Sequence, residues 1–576
     1  MVLVGSYLRS VRVKCAIFGT ILVLLLFLTI SETWKYDSYI SPISIKGDHA
    51  SISNVRFTDE DIRKFKANKE EAYKFWDKVF KIIRENRLHL SRSELRNAIS
   101  YTEVSGKKIT NTKEVLLSKA VISDKAFKEF QVRHKNVLEE LPSGLPITTY
   151  NLESNGIVFV GGGKFSWLSY LSLLGLRETG SKLPVEVIMP TYLDYKQELE
   201  FCIEILPKLN ASCVVIPDAL GASTMTTWNK KIKSYQFKIL ALLASSFQNV
   251  LLLDSDNIVI ENPDPFFDSN LFKKYGMVTW PDYSERTISP HFYNISGTEV
   301  NERKRARYDR IPIGYTESDD NLSDAEKDSV PFHDLDGTVP NLSTESGQLF
   351  INKLSHGRTL LLSLYYNMYG PKLYYKLFSL GELGEGDKDT FAAAATVLKQ
   401  TFYQLKSPIK GIGHYGKGNH FQGKAMAQKN PLKDYEIFKE RALKPLAEQE
   451  KSGAPLNERV QHAEQTIKDH FTSDNDNPIF AMHCRSPKLD PANIMRRDSI
   501  YDKKEKRLHY RMYKGFSFER KSAENDTTID FELTQWTNMQ RSLCIKKLRF
   551  RHFDQEDNTE LCNFIDNQVS WLSNSK

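Results

Sequence analysis

The sequence predicts an α/β fold for residues 151–576, built around a Rossmann-like sheet. Short apolar runs alternate with segments of helical periodicity from Gly156 onward, a pattern typical of a mostly parallel sheet covered by helices. One of these runs, residues 250–253, ends directly in two aspartates that flank one serine. The chain has 576 residues, so it can bury a full core and has room for two or three domains of about 100–200 residues each.

The N-terminal residues predict a membrane anchor. Residues 15–31 carry no charged side chain, at the short limit of the about 17–25 residues that a membrane-spanning helix needs. Arg9, Arg12 and Lys14 precede this stretch, so the positive-inside rule places residues 1–14 in the cytosol and the rest of the chain across the membrane. The alternative is a cleaved signal peptide, whose apolar core usually has roughly 7–15 residues and ends in an A-x-A-like site that is missing here.

Residues 32–150 predict a linker followed by a helical stem. The stretch 34–52 is polar and contains Pro42, which suits a linker that lifts the rest of the chain off the membrane. Apolar residues then recur at helical spacing over residues 65–83, and a second helical pattern runs up to Pro142. We expect these helices to pack their apolar faces on the domain that follows.

Charge and cysteine content limit the partners and the compartment. The net charge of +7 is spread along the chain without a dense Lys/Arg block, so nucleic acid is not an expected partner. Beyond Cys15 the cysteines are odd in number, which allows at most two disulfides and leaves one thiol free. These cysteines are Cys202, Cys213, Cys484, Cys544 and Cys562. Sequons that permit glycosylation in a secretory compartment lie at Asn210, Asn294, Asn321, Asn341 and Asn525.

The elements of the α/β domain follow in chain order. The predicted strands are residues 156–160, 185–189, 213–216, 250–253, 276–280, 348–351 and 479–483. The predicted helices are residues 164–177, 198–206, 228–247, 356–368 and 429–461. The segment near 285–340 is polar and charged, which predicts a surface insertion.

The aspartate pair, Asp254 and Asp256, predicts a divalent-metal site. Residues i and i+2 of an extended backbone point to one side, so both carboxylates can face one cation at the carboxyl end of the strand. Such a pair fits a nucleotide-sugar transferase, a phosphatase of the haloacid-dehalogenase type or a metal nuclease. Three βα units precede the pair, which disfavours the phosphatase because its nucleophile usually ends the first strand. A solvated turn without a ligand is the simplest alternative.

Four segments carry a resemblance to a known family: residues 156–187, 251–263, 345–353 and 383–395. In this order and spacing they resemble the fungal Golgi α-mannosyltransferase family, and the chain length and short anchor are similar to its α-1,2-mannosyltransferase branch. The resemblance covers about residues 156–491. It implies a GT-A fold, GDP-mannose as donor, Mn²⁺ as cofactor and a mannose-terminated glycan as acceptor.

The same resemblance implies a place in the cell. It implies a single-pass type II protein of the Golgi membrane, with its catalytic domain in the lumen and other Golgi mannosyltransferases as assembly partners. Two alternatives stay open at this point. One is an α-1,3-mannosyltransferase of the same family, and the other is a non-catalytic Golgi membrane protein that kept the fold. The presence of both aspartates argues against the second alternative.

A looser resemblance, to retaining GT-A enzymes of the glycogenin type, implies roles for single residues. Lys238 matches a lysine that contacts the donor, residues 345–347 match the N-S-G strand of these enzymes, and residues 386–388 match their G-D-Q segment near the acceptor. His483 and Lys488 match a third metal ligand and a phosphate-binding lysine, although their spacing is five instead of six and the glycine between them is missing. Because of that departure, a structural role for His483 stays open, with His414 and His420 as the next ligand candidates.

The remaining donor candidates lie at the glycine turn and in the helix after it. Gly161 and Gly162 let the backbone approach a nucleotide closely, although such a turn also serves as a plain βα connection. Lys164 follows the turn, and Arg177 can pair with a donor phosphate. A cation late in a helix also suits the helix dipole, so Arg177 has a structural alternative.

The implied reaction starts from an α-linked donor and gives an α-linked product, so it retains the configuration of the transferred sugar. Retaining transfer involves carboxylates. It needs either a carboxylate on the β-face of the sugar or a front-face route in which the leaving phosphate takes the acceptor proton. The acidic candidates in the matching segments are Glu345, Glu385, Asp387 and Asp389. For Asp387 and Asp389 the alternative role is helix capping, because an alanine-rich helical segment follows them directly.

Overall fold

The computed structural model of the chain describes residues 59–102, 110–228, 231–314, 322–520 and 526–574. The predicted cytosolic tail 1–14, the anchor 15–31 and the linker up to residue 58 lie outside these residues, as do the sequons Asn321 and Asn525. Within the described part of the chain, no helix has both the length and the apolar character that crossing a membrane requires.

Two β-sheets, one of seven and one of four strands, form the centre of the described chain. Their strands are, in chain order, β1 Asn151–Val160, β2 Val185–Met189, β3 Ala211–Val215, β4 Phe247–Leu253, β5 Asn257–Val259, β6 Met277–Pro281, β7 Thr344–Asn352, β8 Tyr403–Gln404, β9 Lys410–Tyr415, β10 Phe421–Lys429 and β11 Ile479–His483. The larger sheet has the order β8-β6-β7-β4-β1-β2-β3. Strands β3, β2, β1 and β4 are parallel, whereas β7 runs antiparallel to both of its neighbours, β4 and β6. The carboxyl ends of β1 and β4 therefore meet the amino end of β7 at one edge.

The smaller sheet has the order β9-β10-β11-β5 and is antiparallel throughout. Its strand β5 follows β4 of the larger sheet after a turn at residues 254–256. The aspartate pair therefore lies where the chain passes from one sheet to the other.

Helices cover both faces of the larger sheet, and they include helices from both ends of the described chain. Those of eight or more residues are Asp59–Glu85, Asp124–Glu140, Lys164–Glu178, Gln236–Ala244, Lys353–Met368, Thr390–Val397, Pro431–Phe438, Lys444–Ser452, Leu456–His470, Phe531–Met539 and Asn558–Asn574. The shorter ones are Arg92–Arg96, Lys113–Ser118, Tyr192–Gln197, Ile216–Leu220, Ala222–Trp228, Asn270–Tyr275, Pro290–Ser296, Asp324–Lys327, Tyr374–Ser379 and Pro491–Met495. Five small two-stranded ladders complete the described structure. They pair Ile99–Tyr101 with Ala120–Ile122, Asn301–Arg305 with Leu335–Asp336, Arg307–Tyr308 with Ile311–Pro312, Tyr501–Asp502 with Arg507–Leu508, and Ser517–Arg520 with Thr527–Asp530.

The side chains of the central strands alternate between two cores, one on each face of the sheet. Leu251 lies in the core that includes the C-terminal helix Asn558–Asn574, whereas Leu252 lies in the core on the other face. Trp76, from the helix Asp59–Glu85, is buried in that second core. The predicted stem helix therefore packs against the α/β sheet.

The five cysteines that the structure describes form two disulfides, Cys202–Cys213 and Cys544–Cys562, and leave Cys484 as a buried free thiol. Two is the largest number of disulfides that these five cysteines can form with one another.

The predicted strands are confirmed, and β2 and β11 have the predicted bounds. The predicted single helix over residues 228–247 is wrong, because Ser234 has a positive φ of 49° that a right-handed helix cannot contain. The helical prediction for residues 429–461 is confirmed over residues 431–452 and from residue 456 onward, but the stretch begins two residues later and is interrupted. Residues up to Lys429 belong to β10, and Gly453, with a φ of 70°, separates two of the helices that follow.

Candidate metal and donor site

The aspartate pair is held by a turn and not by an extended strand. Strand β4 ends at Leu253, and the backbone N–H of Asn257 donates to the carbonyl of Asp254 at 2.9 Å. The carbonyl of Gly347 in β7 accepts from the N–H of Asp254 at 2.7 Å and from the Asn257 side-chain amide at 2.8 Å. The prediction that both carboxylates converge at the carboxyl end of the strand is confirmed, but the turn and its anchor on β7 bring them together.

His483 joins the pair through the smaller sheet. Strand β11 pairs with β5 so that His483 lies opposite Asn257, and the N–H of Cys484 donates to the carbonyl of Asp256 at 2.9 Å. The Nε2 atom of His483 is 3.5 Å from Asp256 Oδ1 and 3.9 Å from Asp254 Oδ2. Residues that are distant in sequence thus meet because their strands are neighbours.

The three side chains fit a divalent cation. Each offers one ligand atom, and these atoms all lie within 4.8 Å of one another. Ligand atoms that bind one cation at about 2.1 Å are about 3.0 Å apart when adjacent and about 4.2 Å apart when opposite, so small side-chain movements would complete a shell. The carboxylate oxygens suit Mg²⁺ or Mn²⁺, and the imidazole nitrogen favours the transition metal of these two, Mn²⁺.

Glu345 lies behind His483, at the amino end of β7. Its Oε1 atom accepts from the N–H of Gly347 at 2.6 Å and is 3.4 Å from His483 Nδ1. A β-carbon on Gly347 would come within 2.7 Å of His483 Nδ1 and 2.9 Å of Glu345 Oε1, so this contact requires glycine. Burial alone would raise the pKa of Glu345, but the imidazole of His483 more than offsets this effect and lowers that pKa to about 2. Glu345 therefore orients the imidazole as an ionised carboxylate.

Lys238 connects the aspartate turn to the segment of Asp387. Its ammonium is 2.9 Å from Asp254 Oδ2 and donates to the Ser346 carbonyl and hydroxyl at 3.1 and 3.0 Å. Since an ammonium has three donors, these contacts use all of them. Burial alone would lower the pKa of Lys238, but Asp254, Asp387 and Glu345 raise it above its ordinary value. Lys238 therefore positions the acidic groups and has no donor left for a phosphate.

Asp387 completes the acidic cluster. Its Oδ1 atom accepts from the Ser346 hydroxyl at 3.1 Å and is 3.7 Å from Lys238 Nζ. Its Oδ2 atom is buried and has no hydrogen-bond partner among the described residues. Burial raises the pKa of Asp387 to about 6, and Lys238 partly opposes that rise. An unpartnered buried carboxylate oxygen in this position suits a hydroxyl of a bound substrate.

Lys488 pairs with the outer side of the cluster, where its ammonium contacts Asp256 Oδ2. Burial alone would raise the pKa of Asp256, but His483 and Lys488 hold it below its ordinary value. The side chain of Lys488 is 32% exposed, whereas that of Lys238 is 10% exposed. Lys488 is therefore the lysine of this cluster that can turn toward an incoming phosphate.

The glycine turn after β1 lies at the same edge of the sheet as the cluster. Gly161 leaves no space for a side chain, because a β-carbon there would lie 2.7 Å from Val187 Cγ1. Gly162 has a φ of 93°, and its N–H donates to the Ser166 hydroxyl at 3.0 Å. Lys164 begins the helix after the turn. Parallel pairing of β1 with β4 places this turn beside the aspartates.

Comparison with known proteins identifies the family. The mannosyltransferase family model Mannosyl_trans3 matches residues 154–430. The α-1,2-mannosyltransferase MNN23 of Candida albicans is 45% identical over 94% of this chain and 92% of its own length. The chain belongs to the fungal α-1,2-mannosyltransferase family. The α-1,2-mannosyltransferase MNN2 of Saccharomyces cerevisiae, 35% identical over 77% of this chain and 74% of its own, is another member. Among solved structures, the glycosyltransferase GlyE of Streptococcus pneumoniae matches 44% of this chain and 45% of its own chain at 13% sequence identity, with a TM-score of 0.25. This similarity is too low to support a conclusion about this chain.

The structure keeps Arg177 away from the cluster of this family member. The guanidinium lies at the far end of the helix that starts at the glycine turn. It donates to the backbone carbonyls of Leu209, Ser181, Leu183 and Asn210. These carbonyls belong to the loops before β2 and β3, at the opposite edge of the sheet. The proposed contact with a donor phosphate is therefore wrong, because the donors are used to hold these loops.

Glu385 is also outside the cluster. It accepts from the hydroxyls of Tyr101 and Ser379, the latter at 2.9 Å, near the small ladder of Ile99–Tyr101. Glu385 therefore ties an N-terminal element to the segment before Asp387.

Asp389 points into the core, toward Arg286. Its carboxylate accepts from Arg286 at 2.6 Å and from the N–H of Thr344 at 2.9 Å, and its side chain makes no cap to the helix that follows. Asp389 therefore fixes the amino end of β7.

The other two histidines do not contribute to the metal cluster. His414 is stacked on Tyr510 with ring centroids 3.7 Å apart, and His420 is exposed. His483 is therefore the third ligand candidate among the described residues.

Sequence reasoning missed Asp282, which directly follows β6. Its carboxylate is 2.6 Å from Lys388 Nζ, and its pKa is raised by burial and, to a smaller extent, by the charge of Glu345. The available signal was its position after a strand, since polar residues at strand ends collect at the site edge of such sheets.

Proposed function

We propose that this chain is a retaining α-1,2-mannosyltransferase of the GT-A type, which uses GDP-mannose and a divalent cation, Mn²⁺ by preference. The observation that carries this proposal is the cluster of Asp254, Asp256 and His483 at the carboxyl edge of the sheet, in a member of the mannosyltransferase family. The acceptor is a glycan that ends in mannose. The names of the relatives support α-1,2 linkage.

The charges around the cluster suit the departure of a diphosphate. When bound, a divalent cation held by Asp254, Asp256 and His483 offsets the negative charge that develops on the leaving group. The ammonium of Lys488 adds a mobile positive charge on the exposed side. Lys238 and Glu345 hold the ligands in place from the buried side, so little rearrangement is needed during transfer.

Among the carboxylates, Asp387 is the one that suits contact with the sugars. Its free Oδ2 can accept a hydroxyl hydrogen bond of the donor mannose or of the acceptor. Glu345 is engaged by Gly347 and His483 and therefore acts through the imidazole. This arrangement favours the front-face route, in which the leaving phosphate takes the acceptor proton.

We also propose that the enzyme is a type II protein of the Golgi membrane with its catalytic domain in the lumen. The uncharged residues 15–31 and the basic residues before them support this topology. Two disulfides also suit an oxidising compartment. Protection of the chain from added protease in sealed vesicles would support it, whereas a mature N-terminus near residue 32 would contradict it.

The direct test is transfer by the purified full-length protein in detergent. We expect mannose transfer from GDP-mannose to an α-linked mannoside with Mn²⁺, and loss of transfer in Asp254→Asn, Asp256→Asn and EDTA-treated wild type. Product linkage analysis separates α-1,2 from α-1,3 transfer. Near-normal turnover of either asparagine variant in excess EDTA would refute the metal role. Absence of transfer by the wild type to every mannoside would refute the function.

A further inference from the structure

Three half-exposed aromatic side chains form a strip beside the cluster. Tyr283, Tyr415 and Phe421 are 53%, 53% and 48% exposed, respectively. Tyr415 and Phe421 are register partners across the β9–β10 hairpin, with ring centroids 5.4 Å apart. Large apolar side chains grouped in this way on a surface commonly mark a binding site. We call these three residues the aromatic strip.

Two rings of the aromatic strip pack against a glycine, Gly411. A β-carbon on Gly411 would lie 3.1 Å from the Tyr283 hydroxyl and 3.3 Å from Phe421 Cε1. Both rings therefore lie over the bare backbone of β9, with their outer faces open. At the far end, Lys514 Nζ is 4.7 Å from the ring centroid of Tyr415. The strip is thus an apolar surface with a charged group, the Lys514 ammonium, at its edge.

The strip continues from the proposed catalytic cluster. Strand β6 pairs with β7 so that Trp280 lies opposite Glu345, and Tyr283 follows three residues after Trp280. The hairpin strand β10 also pairs with β11, where Met426 lies opposite His483. Phe421 is five residues from Met426 along β10, which at about 3.4 Å per residue puts it roughly 17 Å away. The strip therefore starts at the cluster and leads outward.

The chemistry of the strip fits a sugar chain. A hexose has an apolar face of C–H groups that stacks on an aromatic ring and a rim of hydroxyls that hydrogen-bond to polar groups beside it. The strip combines rings with the exposed Arg485 and with Lys514, at a distance that suits sugars beyond the reacting one. We propose that Tyr283, Phe421 and Tyr415 form a remote acceptor subsite that binds the mannose chain next to the accepting residue. This inference rests on the proposed function.

The test compares a short and a long acceptor in the full-length enzyme. The short one is a methyl α-mannoside and the long one an α-linked mannose oligosaccharide of six or more units. We expect Phe421→Ala and Tyr415→Ala each to raise the KM for the long acceptor about threefold to tenfold, with a much smaller change for the short one. Tyr415→Phe keeps the ring and should keep the wild-type KM. Ile203→Ala, which also removes a 53% exposed side chain, is the matched control.

Three results would overturn the subsite. The first is an unchanged KM for the long acceptor in both alanine variants. The second is an equal rise for both acceptors, which would mean that the strip acts on the accepting sugar or on the fold. The third is a change in the sedimentation of the variants, which would mean that the strip contacts a second copy of the chain. Calorimetry can measure binding of the long oligosaccharide in the absence of donor. This measurement tests the subsite even if the wild type transfers no mannose. Failure of the subsite and failure of the proposed function therefore remain distinguishable.

Discussion

Asp389 provides a sharp test, because its carboxylate lies in a matching segment but faces the core. Its side chain is 2% exposed and pairs with Arg286, whose side chain is fully buried. Arg286 also donates to the carbonyls of Pro340 and Leu342. The pair therefore fixes the backbone that leads into β7. We expect Asp389→Ala to destabilise the fold and to lower activity only through that loss.

The expected size follows from the burial of this pair. Removal of one partner leaves a buried, uncompensated guanidinium, which costs about 3–5 kcal/mol of the free energy of unfolding. Asp389→Asn keeps an acceptor for Arg286 and for the N–H of Thr344, so we expect a smaller loss of about 1–3 kcal/mol. Urea unfolding followed by tryptophan fluorescence measures both losses, and kcat measured well below the unfolding midpoint shows the remaining activity.

The control for this experiment is a surface ion pair. Asp498 pairs with Lys503, and both side chains are more than two-thirds exposed, so Asp498→Ala should leave the urea midpoint unchanged. The reasoning is refuted if Asp389→Ala unfolds at the urea concentration of the wild type and yet loses turnover. That result would show that Asp389 acts on the substrate.

Three further predictions concern the cluster and its surroundings. Gly347→Ala should lower kcat at least tenfold, because the new β-carbon would displace His483. Gly144→Ala is the control and should have no effect, since no atom lies within 4 Å of its new carbon. Equal activity of the two variants would contradict the tight contact at Gly347. His483→Ala should raise the Mn²⁺ concentration that gives half-maximal rate by about a hundredfold. Lys488→Ala should instead raise the KM for GDP-mannose at saturating metal. Unchanged metal dependence of His483→Ala would leave the imidazole with a structural role. Cys484, fully buried and unpaired, should react with iodoacetamide only after denaturation, as mass spectrometry of alkylated peptides can show, and rapid labelling of the native protein would contradict its burial.

Local sequence determined the elements of the site and much of the chemistry. The apolar run before Asp254 and Asp256 specifies a buried strand with two carboxylates at its end, because apolar side chains leave water and the turn that follows must be polar. The same reasoning predicts β2 and β11 with their bounds. The five cysteines beyond Cys15 can form at most two disulfides with one another, a limit that needs no knowledge of geometry. These inferences depend on residues that are close in sequence.

Tertiary structure decided which of the candidate residues belong together. His483 reaches the aspartates because β11 pairs with β5, and a one-residue shift of that register would turn the imidazole to the other face. Asp387 and Asp389 are two positions apart, yet one points to Lys238 in the cluster and the other to Arg286 in the core. Sequence spacing does not fix such directions, because they depend on partners from distant strands that compensate a buried charge.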